Sequence, residues 1–307
     1  MTATRERSIA HGILLGVSAM VLVGGSVAVS QTLTTAPLLT VQAARYAIAV
    51  PIVLGFAKCF GVTILRPRGM EWVWLAGVAS IGLVLFNVAV IRGVAHAEPA
   101  VIAVAVACVP ILLGNLGPLL EGNSPGRQLI LGAVVVTLGG VLVEGGGRTD
   151  LVGIVWAVIA LTSEAAFTLL AMPVLSRQGA WGVSVHSVWI AAVMLIVMSP
   201  LAEGTSAVSL LTLKNWEAII FLALMVTALT FVCWYSAVTI LGSGRAGLLA
   251  GVSPISAAFA GIATNGHVPK LFVWAGIVLV ILGLIFGQWS PVKRVKADPE
   301  VIPADSR

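Results

Sequence analysis

Pro110-Ile111-Leu112-Leu113-Gly114-Asn115-Leu116-Gly117 recurs, at a constant offset of 144 positions (254 − 110), as Pro254-Ile255-Ser256-Ala257-Ala258-Phe259-Ala260-Gly261, with proline, isoleucine and glycine in register. The register continues outward. Gly122 and Pro125 match Gly266 and Pro269, and Gly132 and Gly139 match Gly276 and Gly283. Each copy reads as an apolar helix kinked at proline, a Gly-x-x-Pro turn, and a second helix with glycines seven residues apart. Repeats inside apolar sequence are a building plan of secondary transporters, with the substrate held where the halves meet.

The composition agrees. The chain has 307 residues, 59% hydrophobic and 9% charged, with mean hydropathy +1.08. A soluble domain carries about 25% charge, and a bilayer-spanning helix needs about 20 apolar residues. The net charge of +5 is scattered through short loops and the ends, which argues against nucleic acid as a partner. Cys59, Cys108 and Cys233 lie in or beside apolar runs and read as packing residues, not disulfides or metal ligands.

Ten spans are predicted, at about 9–30, 37–57, 72–91, 100–120, 127–143, 151–172, 182–201, 216–238, 246–264 and 271–289. Breaks fall at Arg66–Gly69, Glu121–Gly126, Gly145–Asp150, Ser176–Gly179, Glu203–Ser206 and Asn265–Lys270. With a cytoplasmic N-terminus, only Arg92, Arg148, Lys214 and Lys270 face outward. The other loop and terminal lysines and arginines face inward, so both termini are expected in the cytoplasm. Trp72, Trp74, Trp181, Trp216 and Trp289 sit near span ends as interface anchors. Arg5, Arg7, an apolar run and Ala28-Val29-Ser30 also fit a cleaved signal peptide. Against that, Gly12 and Ala19 align with Gly153 and Ala160.

The expected fold is therefore an all-α polytopic membrane protein. Its ten transmembrane helices form two inverted five-helix repeats, over 9–144 and 145–289, flanked by a cytoplasmic N-terminus (1–8) and tail (290–307). Five is odd, so the second copy enters the membrane upside down.

These features resemble the drug/metabolite transporter superfamily, in its ten-span EamA-type branch. They include Arg45 early in the second span, tight turns at Gly93-Val94-Ala95-His96-Ala97 and Ala237–Gly242, and a mid-helix proline in each half. The resemblance covers about residues 9–289. It implies export or import of small metabolites, amino acids or drug-like compounds, in a bacterial plasma membrane. The family's Gly-Glu pair before the fifth and tenth spans reads here Gly122-Asn123 and Gly266-His267, so a role tied to that acid does not transfer.

Glu164, in the middle of the sixth span, is the sharpest candidate. An acid at the bilayer midplane costs about 2.5–3.5 kcal/mol on insertion scales, so it should face a cavity or a partner. There it could couple protons or recognise a substrate amine; otherwise it is a hydrogen-bonded packing residue. Trp156, Ala160, Glu164 and Phe167 share a helical face by spacing, which would set both aromatic rings beside the acid. Asn87, Trp234 and Tyr235 are cavity candidates because the third and eighth spans line the cavity in the family resembled. Asn87 also fits a helix–helix hydrogen bond, and Asn115 follows the same logic. Arg45 reads as an anion-recognition residue or a structural arginine reaching toward the surface, and His186 as its counterpart near an interface. Pro110 and Pro254 read as hinges or static kinks.

Gly242-Ser243-Gly244-Arg245-Ala246-Gly247 spells a dinucleotide loop but joins two apolar spans, so a helix–helix turn is expected. Gly12-x-x-x-Gly16 and Gly283-x-x-x-Gly287 permit a homodimer face, with internal packing favoured. Lys293-Arg294-Val295-Lys296 reads as an orienting cluster. No cofactor, metal or catalytic residue is expected: His11, His96, His186 and His267 lie in separate segments, and there is no nucleotide-binding P-loop. The reading is a secondary transporter, with export favoured, that takes a small-molecule substrate through the lipid bilayer by alternating access. An intramembrane lipid-modifying enzyme and a non-transporting receptor are the alternatives.

Overall fold

The structure, a computed structural model, describes residues 2–265 and 269–288. Among these, ten helices are long and apolar enough to cross a membrane: α1 (Arg7–Leu33), α2 (Leu38–Cys59), α3 (Glu71–Gly93), α4 (Pro99–Leu120), α5 (Arg127–Glu144), α6 (Leu151–Leu169), α7 (Met172–Glu203), α8 (Leu213–Leu241), α9 (Ser243–Thr264) and α10 (Leu271–Gln288). The chain is an all-α, multi-pass integral membrane protein. Gly266, His267, Trp289 and the Lys293-Arg294-Val295-Lys296 cluster lie outside the described residues.

Expected and observed spans differ most at α7. In place of the break expected over Ser176–Gly179, the helix begins at Met172 and turns at one residue, Gly179, with φ 64° and ψ 177°. Glycine takes that φ without a Cβ clash, so the chain redirects without a loop.

The prolines break α4 and α9 as their chemistry predicts. Pro99–Ala107 and Val109–Leu120 are separate helical pieces, as are Ser243–Leu249 and Val252–Asn265. A proline has no N–H, and its ring crowds the carbonyl four residues back. Tighter bonds take over at the breaks: Cys108 N–H donates to the Ala105 carbonyl at 3.0 Å, and Ser253 N–H to Ala250 at 3.1 Å. A second paired irregularity has no sequence signal. Val78–Leu85 in α3 and Leu222–Leu229 in α8 are both π-helical, again 144 positions apart (222 − 78).

α5 and α10 pack backbone against backbone. A Cβ on Gly139 would lie 2.7 Å from the Gly276 carbonyl oxygen, and one on Gly283 would lie 3.0 Å from that of Gly132. Gly139 thus meets Gly276 while Gly132 meets Gly283, so the two helices run antiparallel. Small residues allow this approach. Gly287 likewise faces Gly132 and Leu248, while Gly12 and Gly16 of α1 face Ile240, Leu241, Ala237 and Leu249. Both Gly-x-x-x-Gly faces are covered by the chain's own helices, which removes them as a dimer surface.

The helix pairings exchange with the halves. α1 packs on α8 and α9, and α6 packs on α3 and α4; α2 packs on α7, and α4 on α9. The core joins Tyr46, Leu75, Leu113, Leu195, Trp234 and Leu249 from six helices. Leu138, Val158, Val193, Val197 and Leu282 are exposed, as apolar side chains facing lipid should be.

Carboxylates stitch the helix ends. Glu203 accepts from the Leu39 and Thr40 N–H groups, both at 2.8 Å, at the start of α2. Asp150 caps α6 by accepting from Gly153 N–H at 2.8 Å, and lies 3.0 Å from His96 Nδ1. Glu121 accepts from Ser243 N–H and Oγ, both at 2.7 Å, at the start of α9. Gly242, Gly244 and Gly247 are turn and packing glycines there: Gly242 has φ 81°, and the other two face Pro118, Leu129 and Leu113. The dinucleotide spelling is a helix–helix turn.

Candidate functional site

Glu164 sits on α6, half-buried. One turn further along α6, Phe167 meets Tyr235 of α8, and Tyr46 of α2 belongs to the same buried core. Among the described residues Glu164 takes part in no hydrogen bond or ion pair. Tyr46 is itself held in place. Asn87 of α3 donates to its hydroxyl at 3.3 Å and to the Leu83 carbonyl at 2.7 Å. Asn87 therefore ties α3 to α2 by the helix–helix hydrogen bond that was one of its two expected roles.

Arg45 lies beside Tyr46, its guanidinium carbon 5.5 Å from the ring centroid. Nε donates to Thr227 Oγ1 at 2.8 Å, and Nη1 to Gln42 Oε1 at 3.3 Å. Thr227 belongs to the π-helical stretch of α8. Arg45 thus bridges α2 to α8 inside the bundle instead of reaching for the surface, with neutral partners only.

The wall behind Glu164 is aromatic. Phe167 packs its ring 4.8 Å from Phe231 and 5.0 Å from Tyr235. Tyr235 is fully buried and donates to the Phe167 carbonyl at 2.9 Å. Trp234, also buried, donates to Thr168 Oγ1 at 2.9 Å. These two residues lock α8 to α6. A Cβ on Gly82 would lie 2.7 Å from Phe167 Cα, so the π-helical part of α3 also presses on this wall.

Some candidates stand elsewhere. Trp156 packs with Ala89, Ile102 and Ala160, eight residues and about 12 Å along the helix from Glu164. The shared face is real, but Trp156 is not beside the acid. Asn115 donates to the Ile111 carbonyl of its own helix at 2.7 Å. Pro110 is buried, and Pro254 faces Gly140 of α5. His186 is buried against the α2–α3 link, with Nε2 2.9 Å from the Leu65 carbonyl. Cys59 is exposed, not packed; Cys108 and Cys233 are half-buried. A cavity of about 240 Å³ opens between α2, α7 and α8 beside Thr40, Ala47, Ser199 and Trp216, away from Glu164.

The bridging contacts Glu71–Arg177, Glu121–Ser243 and Glu203–Thr40 escaped the sequence reading. Their partners are more than a hundred residues apart, and no local pattern links them. Among the described residues, no group of three or more His, Cys, Asp or Glu could hold a metal ion.

A ten-helix membrane bundle with a carboxylate on α6 that is unpaired among the described residues is compatible with a transporter. Comparison with known proteins makes the class specific. The model of the EamA-like transporter family matches this chain twice, over residues 10–144 and 151–287. The chain belongs to that family and is a transporter of small molecules across a membrane, not an enzyme. It is similar to the uncharacterised Bacillus subtilis (strain 168) transporter YetK, 26% identical over 94% of this chain and 88% of that protein. It is also similar to the uncharacterised transporter YwfM of the same organism, 23% identical over 80% and 83%. A solved crystal structure, 16% identical, superposes with a TM-score of 0.79 over 90% of this chain and 96% of that one. That likeness shows the fold.

Proposed function

We propose that this chain exports a small organic solute by alternating access between two inverted five-helix halves, with Glu164 exchanging a proton or binding a substrate amine. The observation that carries the reading is a carboxylate inside a membrane-spanning helix, one turn from the Phe167–Tyr235 contact, with no hydrogen bond or ion pair among the described residues. A charged group at that depth is costly, and here no fixed cation offsets the cost. A transported proton or ammonium group would. Arg45, beside Tyr46 and Thr227, would receive an acidic or polar end of the same solute, which favours solutes carrying both an amine and an acceptor group.

The inversion is supported by the antiparallel meeting of Gly132 with Gly283 and Gly139 with Gly276. Each position contacts the repeat counterpart of the other, as across a two-fold axis in the membrane plane. The breaks at Pro110 and Pro254 serve as hinges in this reading. Arg66, Arg68, Arg127, Arg177 and Arg245 lie at the ends assigned to the cytoplasm, which supports cytoplasmic termini. The bacterial relatives support a plasma-membrane location.

Counterflow in proteoliposomes tests this. Vesicles loaded with one of a panel of amino acids, other metabolites or cationic drugs should take up the same labelled compound saturably, and protein-free vesicles should not. Glu164→Gln should lose pH-driven flux while retaining exchange. PH-driven flux equal to the parent's would remove Glu164 from coupling.

A further inference from the structure

The link between α2 and α3 has no regular structure over 62–68, yet α7 pins it. Arg177 forks onto both carboxylate oxygens of Glu71, and its Nη2 also donates to the Arg66 carbonyl at 2.9 Å. His186 Nδ1 accepts from Trp189 Nε1–H at 3.1 Å. That leaves the proton on Nε2, which donates to the Leu65 carbonyl at 2.9 Å. Pro67 is buried. The pinned link borders an open cavity of about 540 Å³ lined by Arg66, Arg68, Gly69, Trp72 and Arg177.

The charge in this cavity is not balanced. The Glu71 carboxylate is occupied by Arg177, by Gln178 Nε2 at 2.9 Å and by the Arg68 N–H at 2.9 Å. Arg66 and Arg68 are exposed, and among the described residues neither guanidinium has an ion pair or hydrogen bond. Guanidinium groups are the fork-shaped donors that suit phosphate oxygens. Next in the chain to the lining residues Gly69 and Trp72, Met70 is 64% exposed and Val73 59%, and Phe60, just past the end of α2, is 73% exposed. Trp72 adds an indole at the start of α3, where a membrane interface would fall. A soluble phosphate would gain nothing from that apolar skirt, whereas a lipid would lay its chains on it.

We infer that this cavity binds the phosphate of an anionic membrane phospholipid, with Arg66 and Arg68 on the phosphate oxygens and Phe60, Met70 and Val73 against the acyl chains. The site is preformed, because α7 holds the link in place before any lipid arrives. It stands independently of the transport reading.

Native mass spectrometry of the full chain tests it, with phosphatidylglycerol, phosphatidylcholine and glycerol 3-phosphate as probes. The parent should retain phosphatidylglycerol in preference to phosphatidylcholine. Arg66→Gln/Arg68→Gln should bind phosphatidylglycerol about thirty-fold more weakly, roughly five-fold for each arginine near an anionic surface. Arg66→Lys/Arg68→Lys, which keeps the charge, should lose much less. Glycerol 3-phosphate should not displace the lipid. Unchanged phosphatidylglycerol binding in the glutamine variant, or equal retention of both lipids by the parent, would overturn the proposal. Displacement by glycerol 3-phosphate at lipid-like concentrations would overturn the lipid source and leave a soluble-phosphate site.

Discussion

The α5–α10 contact and the surroundings of Glu164 solve opposite problems. At the first, Gly132, Gly139, Gly276 and Gly283 bring two backbones together with no polar side chain between them. Packing there has no room to change. At the second, a carboxylate on α6 sits one turn from Phe167, whose ring and carbonyl are held by Tyr235 of α8, and neither residue bonds it. Asn87 bonds Tyr46 and Tyr235 bonds backbone, and among the described residues none bonds the acid. The contrast suggests a fixed joint at one place and a variable occupant at the other. Natural chains accept a stability cost at functional positions and not at structural ones.

Substitutions at the two places should therefore move stability in opposite directions. The largest effect is expected at the joint. Gly139→Val would drive a branched side chain into the Gly276 carbonyl and Val280, and should destabilise by about 3 kcal/mol or more, read as a lower melting temperature in detergent. At the centre, Glu164→Leu should raise stability by up to about 2–3 kcal/mol, the insertion cost of a midplane acid, while abolishing pH-driven flux. A Glu164→Leu protein less stable than its parent would mean that the acid is structural, and the contrast would fail.

A smaller effect separates the wall from the acid. Tyr235→Phe keeps the ring packing on Phe167 but deletes the bond to its carbonyl, at about 1–2 kcal/mol. Glu164-dependent flux should survive, since the phenol supports the wall and does not bind the proton. The smallest effect should come from Asp150, outside both regions. Gly153 N–H first, and then His96, hold its carboxyl below the ordinary aspartate value of 3.8. A carboxylate lowered in the native state stabilises above its unfolded value and loses that contribution as pH falls through its native one. The melting-temperature gap between parent and Asp150→Asn should be full near neutral pH and close below about pH 4. A gap that does not vary with pH would assign the effect to the cap hydrogen bond alone.

Much of this was legible because the signals are local. Span length and apolarity gave ten helices, and Pro110 and Pro254 gave two broken ones. Glu164 stood out because an acid in an apolar run is conspicuous. What was hidden depends on partners far away in the chain. Trp156 shares a helical face with Glu164, yet the fold gives it to Ala89 and Ile102 instead. Arg45 could have turned either way along α2; Thr227 on α8 decided its direction. The π-helical stretches at 78–85 and 222–229 are apolar runs like any others, and no residue in them announces a wider turn.

The sequence by itself determined that this chain lives in a bilayer, that it crosses it ten times, and that its second half repeats the first. Those properties follow from the hydrophobic content of continuous segments and from residues such as proline and glycine that act on their own backbone. The tertiary structure alone decided which helices meet at Gly139 and Gly276, which phenol packs on Phe167, and which arginines around the α2–α3 link are left without an acid. Those are properties of side chains brought together from helices distant in sequence, and no single segment carries them.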